Sequence, residues 1–167
     1  MSHFLNRNYS GFGRKFNFTY LQLIVSLALV SFAGILQNTD ILNIAGVKPN
    51  VALGVLISLS FIISEVLHFL VLLVVAAGIL GFQPGSSAAT LVFGALVLFV
   101  FFAHDRLPGR AFINNILLIG FTTIFFYIIV DFPFLRSNFL SVAYEVIYNV
   151  ILGTVFLFSF KKIFKKI

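Results

Sequence analysis

Long apolar runs separated by short polar clusters dominate the pattern of this chain. The clusters between the runs are rich in Asn, Pro, Gly and charged residues, which end helices. We predict spans over residues 16–36, 51–64, 67–82, 88–103, 111–130 and 139–160. At about 1.5 Å per residue, the longer runs can cross a hydrocarbon core of about 30 Å. The pattern therefore predicts an all-α integral membrane protein with a single domain, a bundle of about six transmembrane helices.

The run over residues 51–82 can be divided in two ways. It holds no strong helix breaker and is interrupted only by Ser64, Glu65 and His68. One straight helix of this length would reach about 48 Å, which exceeds the bilayer core. We interpret the run as two short spans joined by a tight turn near Glu65, with one broken helix as the alternative.

The basic residues are distributed unevenly between the two sides that six spans would create. Nine of the 11 Lys and Arg residues lie at the amino end, in the loop over residues 104–110 and in the carboxyl tail. Only Lys48 and Arg136 lie on the other side. Basic residues near span ends favour the cytoplasm, so both termini are predicted to be cytoplasmic. The first apolar run is longer than the core of a secretory signal, and we interpret it as a retained span.

The composition limits the kinds of function that this protein can have. The chain is 60% hydrophobic and 10% charged, which leaves almost no room for a soluble catalytic or binding domain. The chain has a net charge of +6, and its basic residues lie beside apolar spans. We therefore expect these residues to contact anionic lipid rather than nucleic acid. We predict that four tail residues anchor the carboxyl end of the chain at the membrane surface: Lys161, Lys162, Lys165 and Lys166. The absence of Cys excludes disulfides, thiolate metal ligands and cysteine catalysis.

One acidic residue lies well inside the last predicted span. At helical spacing Glu145 shares a face with Tyr148 and Asn149, and Gly153 lies near it. A carboxylate at this depth is costly unless it is paired, neutral or hydrated. One hypothesis is that this face binds a partner or a ligand inside the bundle. The alternative is an interhelical hydrogen bond, or a side chain that reaches the outer interface.

Two other polar groups could carry chemistry. Glu65 and His68 are one helical turn apart and could bind a metal or relay a proton, but a turn between short spans also needs polar residues. The run His104-Asp105-Arg106 precedes Pro108-Gly109 and is typical of a solvated loop. No nucleophile has an adjacent base, and no metal set is evident. We predict no enzymatic activity, no cofactor and no metal.

Glycine and tyrosine are interpreted structurally. Gly78, Gly81 and Gly85 lack the strand and the Lys-Ser/Thr of a nucleotide-binding loop, so close helix packing and turning are expected to account for them. The chain has five Tyr and no Trp, and the Tyr residues are interpreted as ordinary interfacial anchors.

Three local features stand out beside the layout of the spans. They are Lys48-Pro49-Asn50 at the start of the second span, the segment Gly78-Ile79-Leu80-Gly81-Phe82-Gln83-Pro84-Gly85, and a final helix with Asn149 and Gly153 ahead of the lysines. In these features and in its layout the chain resembles the bacterial rod shape-determining protein MreD family. The glycine segment carries an acidic residue in many members, whereas this chain has none between Glu65 and Asp105.

The resemblance implies a non-enzymatic scaffold of the bacterial inner membrane, in the machinery that builds lateral peptidoglycan during cell elongation. Its implied partner is MreC and, through MreC, the cytoskeletal MreB, RodA and a transpeptidase. The alternative is the substrate-binding S subunit of an energy-coupling-factor vitamin transporter, which is also a small six-helix bundle. Such a subunit needs a polar pocket toward the outside. Nearly all the residues of this chain that could form one are Tyr144, Glu145 and Asn149.

Overall fold

The computed structural model describes residues 20–39, 41–44, 46–81 and 87–165. These residues form seven α-helices and one 3₁₀ turn, His104–Arg106; Ile44 and Val47 make an isolated bridge, and no longer strand occurs in this part of the chain. The helices are α1 (Tyr20–Asn38), α2 (Val51–Ser60), α3 (Val66–Gly81), α4 (Ser87–Ala103), α5 (Ala111–Val130), α6 (Phe132–Ser137) and α7 (Phe139–Phe164). The predicted all-α class is confirmed for the described residues. Residues 16–19 and 82 of the predicted spans, and Lys166 of the predicted anchor, lie outside them.

Four of the helices are long and apolar enough to cross a membrane. They are α1, α4 with its 3₁₀ extension to Arg106, α5 and α7. The other two apolar helices are shorter, since α3 has 16 residues and α2 has 10. At about 1.5 Å per residue, α2 covers about 15 Å, half of a hydrocarbon core. The membrane character of the chain therefore rests on four helices.

Helix α2 is enclosed by the rest of the bundle. All ten of its residues are buried, and Leu53, Leu56 and Ile57 are completely inaccessible. It packs most extensively on α7 and also contacts α1, α4 and α5. A helix that is apolar all round can be stable only where every side meets protein or lipid, and here every side meets protein. The core of the molecule is thus a short central helix surrounded by longer ones.

The predicted span over residues 51–64 is too long at its carboxyl end. Helix α2 stops at Ser60, whose Oγ donates to the Ile57 carbonyl at 2.7 Å. The Leu59 carbonyl then accepts from the backbone N–H groups of both Ile62 and Ile63 at 2.9 Å, which tightens the last turn. Ser64 and Glu65 follow in an exposed turn before α3. The helix ends early because the chain has already reached the end of the bundle.

The connection between α5 and α7, predicted only as a polar cluster between two spans, contains a helix. The Asp131 side chain accepts from the Phe134 N–H at 3.0 Å and caps the amino end of α6, and Pro133 lies in its first turn. An acidic cap followed by proline is a common start of a helix. This short helix joins α5 and α7 as an antiparallel pair.

The helices place the polar residues at two opposite ends of the bundle. Tyr127 of α5 contacts Glu145 of α7, whereas Phe112 and Phe158 pair toward the other end with ring centroids 5.7 Å apart. Asn38 Nδ2 donates to the Ile79 carbonyl at 3.2 Å, so α1 and α3 end on the same side as Tyr127. We call this side the Glu145 end. The opposite side, where α1 begins and α7 ends, is called the basic end because it holds Arg106, Arg110, Lys161, Lys162 and Lys165.

Candidate polar site of the helix bundle

The predicted polar face of α7 points into the bundle. Glu145 is 9% exposed, Asn149 is completely buried, and Gly153 is buried with them. Tyr148 is half-buried and lies at the margin of this face. Three of the four predicted residues therefore meet α2 and α5 inside the protein rather than presenting a free surface.

Asn149 connects three helices through its side-chain amide. Its Oδ1 accepts from the Asn50 N–H at 2.7 Å, and its Nδ2 donates to Thr123 Oγ1 at 3.1 Å. Asn50 in turn caps α2, because its Oδ1 accepts from the Leu53 N–H at 3.1 Å. Thr123 donates to the Ile119 carbonyl at 2.8 Å. The start of α2 is thereby fixed relative to α5 and α7.

Helices α2 and α7 approach each other at two glycines. A Cβ on Gly153 would lie 2.1 Å from Ile119 Cδ1, and one on Gly54 would lie 3.6 Å from the Gly153 Cα. Ser58 Oγ lies 2.7 Å from the carbonyl oxygens of both Gly54 and Gly153, one from each helix. Small residues permit such close backbone contact between membrane helices. The crossing has no space for a side chain at Gly153.

Glu145 is bound on one side and open on the other. The Tyr127 hydroxyl donates to Glu145 Oε2. The carboxylate also lines a pocket of about 230 Å³ at the Glu145 end. The other lining residues are Gln37, Asn38, Lys48, Pro49, Asn50, Leu80, Phe126 and Tyr127. Pairing lowers the cost of an acid at this depth, and Tyr127 provides it. Within the predicted face, Glu145 is the residue that lines a pocket.

The other predicted polar groups form local pairs at the basic end. His68 Nδ1 lies 2.7 Å from Glu65 Oε2, in the turn that precedes α3. His104 Nε2 lies 3.0 Å from Asp105 Oδ1, and its Nδ1 lies 2.6 Å from the Phe101 carbonyl. Among the described residues, no three His, Cys, Asp or Glu side chains are grouped as a metal site would require. These pairs order the turns in which they lie.

The glycines of α3 do not mediate the close packing that was expected of them. A Cβ on Gly78 or Gly81 would have no atom within 4 Å, so close packing is wrong for both. Gly81 is the last residue of α3, and the predicted turn after it lies outside the described residues. Gly85 lies outside the described residues. The close contacts are made at Gly54 and Gly153 instead, because the enclosed helix is α2 rather than α3.

Several site residues were missed by the sequence analysis. Tyr127 was interpreted as an interfacial anchor, yet its hydroxyl binds Glu145. The signal for this pair was present, since residues within one or two turns of a short connection meet across an antiparallel helix pair. Ser58 and Asn115 gave no such signal, because their side chains meet at 3.5 Å across 57 residues of sequence.

Three of the four lysines of the predicted anchor lie among the described residues. Lys161 and Lys162 lie on the last turn of α7, which continues four residues past the predicted end of the span, and Lys165 follows it directly. Lys162 and Lys165 are exposed. They form part of the basic end.

The Glu145 variants separate a structural role of this carboxyl group from one that requires ionisation. Glu145→Gln retains an oxygen that accepts from Tyr127. Its unfolding free energy is therefore expected to match that of the native protein within about 1 kcal/mol. Glu145→Ala leaves the Tyr127 hydroxyl unpaired and should cost about 1–2 kcal/mol in unfolding free energy. Thermal unfolding in detergent, with Tyr127→Phe as the matched control, measures both. Equal loss of folding in the Gln and Ala variants would exclude a role for ionisation.

No protein-family model, curated protein or solved structure matches this chain.

Proposed function

We propose that this protein is a non-enzymatic scaffold of the bacterial cytoplasmic membrane, acting in cell elongation in the way that the resemblance to the MreD family implies. Its direct partner would be MreC, and MreC would connect it to MreB, RodA and a transpeptidase. Both termini would be cytoplasmic, with the basic end at the inner leaflet.

One observation supports this proposal most directly. Two of the segments that carry the resemblance, Lys48-Pro49-Asn50 and the Asn149 to Gly153 part of the last helix, lie against each other. The Asn50 N–H donates to Asn149 Oδ1 at 2.7 Å, and Gly153 meets α2 one turn beyond Asn50. Residues 99 positions apart thus form one structural unit that holds the central helix. Two of the three segments on which the resemblance rests therefore lie in one part of the fold.

The distribution of polar groups supports a scaffold as well. Asn149 is engaged with Asn50 and Thr123, and Ser58 is engaged with Gly54 and Gly153. These groups rigidify the interior, since satisfied polar networks specify one packing arrangement. The surfaces left for partners are the outer faces of the long helices and the connections between them. A rigid body of this kind can position a single-span partner without chemistry of its own.

The test is affinity purification of the full chain from its native membranes in mild detergent, followed by mass spectrometry. Recovery of MreC, with RodA or a transpeptidase, is the expected result. The matched control is the untagged native chain carried through the same purification, which should recover none of them. Recovery of an ATPase pair with a transmembrane coupling subunit would overturn the scaffold.

The second candidate is the S subunit of an energy-coupling-factor vitamin transporter, and the pocket beside Glu145 favours it. The pocket opens at the end of the bundle predicted to face outward, and its polar lining includes Gln37, Asn50 and Tyr127. Its volume of about 230 Å³ is below the roughly 300–1,000 Å³ of typical ligand sites. A vitamin would therefore require the loop over residues 41–50 to move, which makes this the weaker candidate.

A further inference from the structure

A second pocket lies at the basic end, away from Glu145. It has a volume of about 650 Å³ and is formed by the end of α2, the connection between α4 and α5, and the start of α5. Arg106 and Arg110 line it together with the apolar side chains of Phe61, Leu107 and Ala111. We propose that this pocket binds the phosphate group of an anionic membrane lipid. The proposal rests on the membrane placement of the bundle and is independent of the scaffold role.

The two arginines are available for an anion. Within the described residues, neither guanidinium makes a hydrogen bond or an ion pair, and both side chains are exposed. A guanidinium binds phosphate through two parallel N–H groups and is weakly hydrated, which suits a site at the headgroup level. Two of them on one pocket provide more donors than a single phosphate needs.

The connection that carries the arginines is held in one conformation. Asn114 Nδ2 donates to the Leu107 carbonyl at 3.2 Å, and the Leu107 N–H donates to the His104 carbonyl at 3.4 Å. Gly109 has φ +140°, which L side chains rarely adopt, and a Cβ there would lie 2.9 Å from Asn114 Oδ1. The Phe61 ring packs edge-on against His104 with centroids 5.2 Å apart. The arginines therefore extend from a defined backbone instead of a loose loop.

The start of α5 adds a further attraction for an anion. Arg110 occupies the N-cap position, and its side chain makes no capping hydrogen bond. The first-turn N–H groups of a helix have no intrahelical partner and carry the positive end of the helix dipole. Phosphate groups commonly bind at such a position. The helix terminus and the two guanidinium groups thus both attract a negatively charged ligand.

Asp105 is the acid that faces this pocket. Its Oδ1 lies 3.0 Å from His104 Nε2, which partly offsets its charge. The pocket retains a positive excess from the two arginines. The apolar walls formed by Phe61, Leu107 and Ala111 suit the glycerol and acyl part of a lipid, whereas a free phosphate would use only the polar half. The chemistry of the walls therefore favours a lipid headgroup.

The experiment is native mass spectrometry of the full-length protein after delipidation and addition of phosphatidylglycerol or phosphatidylcholine. High ionic strength weakens the long-range attraction of all exposed basic residues, so that retention reports mainly direct contacts with the headgroup. The native protein should retain one phosphatidylglycerol in preference to phosphatidylcholine. Arg106→Gln with Arg110→Gln should weaken this retention about thirtyfold, since each basic residue near the surface contributes about 1 kcal/mol and every 1.4 kcal/mol is a factor of ten. Asp105→Asn should strengthen it about threefold.

The matched control removes the same charge from the same end. Lys162→Gln with Lys165→Gln should change retention by less than about twofold under these conditions. Equal losses in the arginine and lysine pairs would overturn the pocket in favour of diffuse charge. Stabilisation by inorganic phosphate without lipid, lost in the arginine pair, would assign the site to a free anion and overturn the lipid. Arg106→Lys with Arg110→Lys, which keeps the charge, should give an intermediate loss if two-pronged phosphate binding operates.

Discussion

Gly153→Leu is expected to abolish the accumulation of folded protein. Even Gly153→Ala places a Cβ 2.1 Å from Ile119 Cδ1, and Ile119 is completely buried. Relieving this contact must move a core side chain, and overpacking of this kind costs about 1–3 kcal/mol for a single methyl group. Leucine adds three more carbons at a backbone crossing with no free volume. Fluorescence-detected size-exclusion chromatography and thermal unfolding in detergent measure the effect.

A second substitution tests whether the named contact is the cause. Ile119→Val removes Cδ1, the atom nearest to the added methyl group, at an expected cost of about 1 kcal/mol by itself. In this background Gly153→Ala should cost clearly less than in the native protein, which is a favourable coupling energy. Gly78→Ala is the matched control on another helix, because its Cβ has no neighbour within 4 Å. If Gly153→Leu and Gly78→Leu behaved alike, the described contact between Gly153 of α7 and Ile119 of α5 would be wrong.

Asn149→Leu is expected to lower the unfolding free energy by about 2 kcal/mol. The substitution preserves the approximate volume but leaves the Asn50 N–H without the acceptor that now lies 2.7 Å away. Thr123 Oγ1 loses a donor, although it still donates to the Ile119 carbonyl at 2.8 Å. Most of the cost therefore arises from the unpaired N–H at the start of α2.

Asn138→Leu provides the comparison for this variant. Asn138 is exposed at the start of the same helix, and its side chain makes no capping hydrogen bond. Its replacement should change stability by less than about 0.5 kcal/mol. Denaturation in mixed micelles and protease sensitivity of the loop over residues 41–50 would report the difference. A native-like midpoint for Asn149→Leu would show that the start of α2 is held by packing alone.

The apolar pattern predicted the long helices well because length and composition determine them. Residues 111–130 form α5 as predicted, since polar residues flank an uninterrupted apolar run on both sides. The region over residues 51–82 has two helices with a turn between them, and Glu65 lies in that turn. What the pattern does not contain is the difference between a helix facing lipid and one facing protein. Both are uniformly apolar, so the enclosure of α2 was not predictable from its own residues.

The polar site was predictable only in part. Glu145 and Asn149 were identified because polar residues in an apolar helix are costly and therefore conspicuous. Their partners were less visible, since Tyr127 resembles an interfacial residue and Asn50 resembles a helix cap, which it also is. The role of Gly153 depends on Gly54 and Ile119, which are distant in sequence. One-dimensional patterns reveal which groups need partners, but tertiary packing determines which groups those are.

The enclosure of α2 sets an order for the biogenesis of this protein. A segment of ten residues is too short to enter a bilayer as an independent span, and here its most extensive contacts are with α7. Its partner Asn149 is synthesised 99 residues after Asn50. The central helix thus reaches its final position only after translation has passed Gly153. In a ribosome-bound chain that stops before that point, the side of α2 that later contacts α7 is not yet covered by that helix.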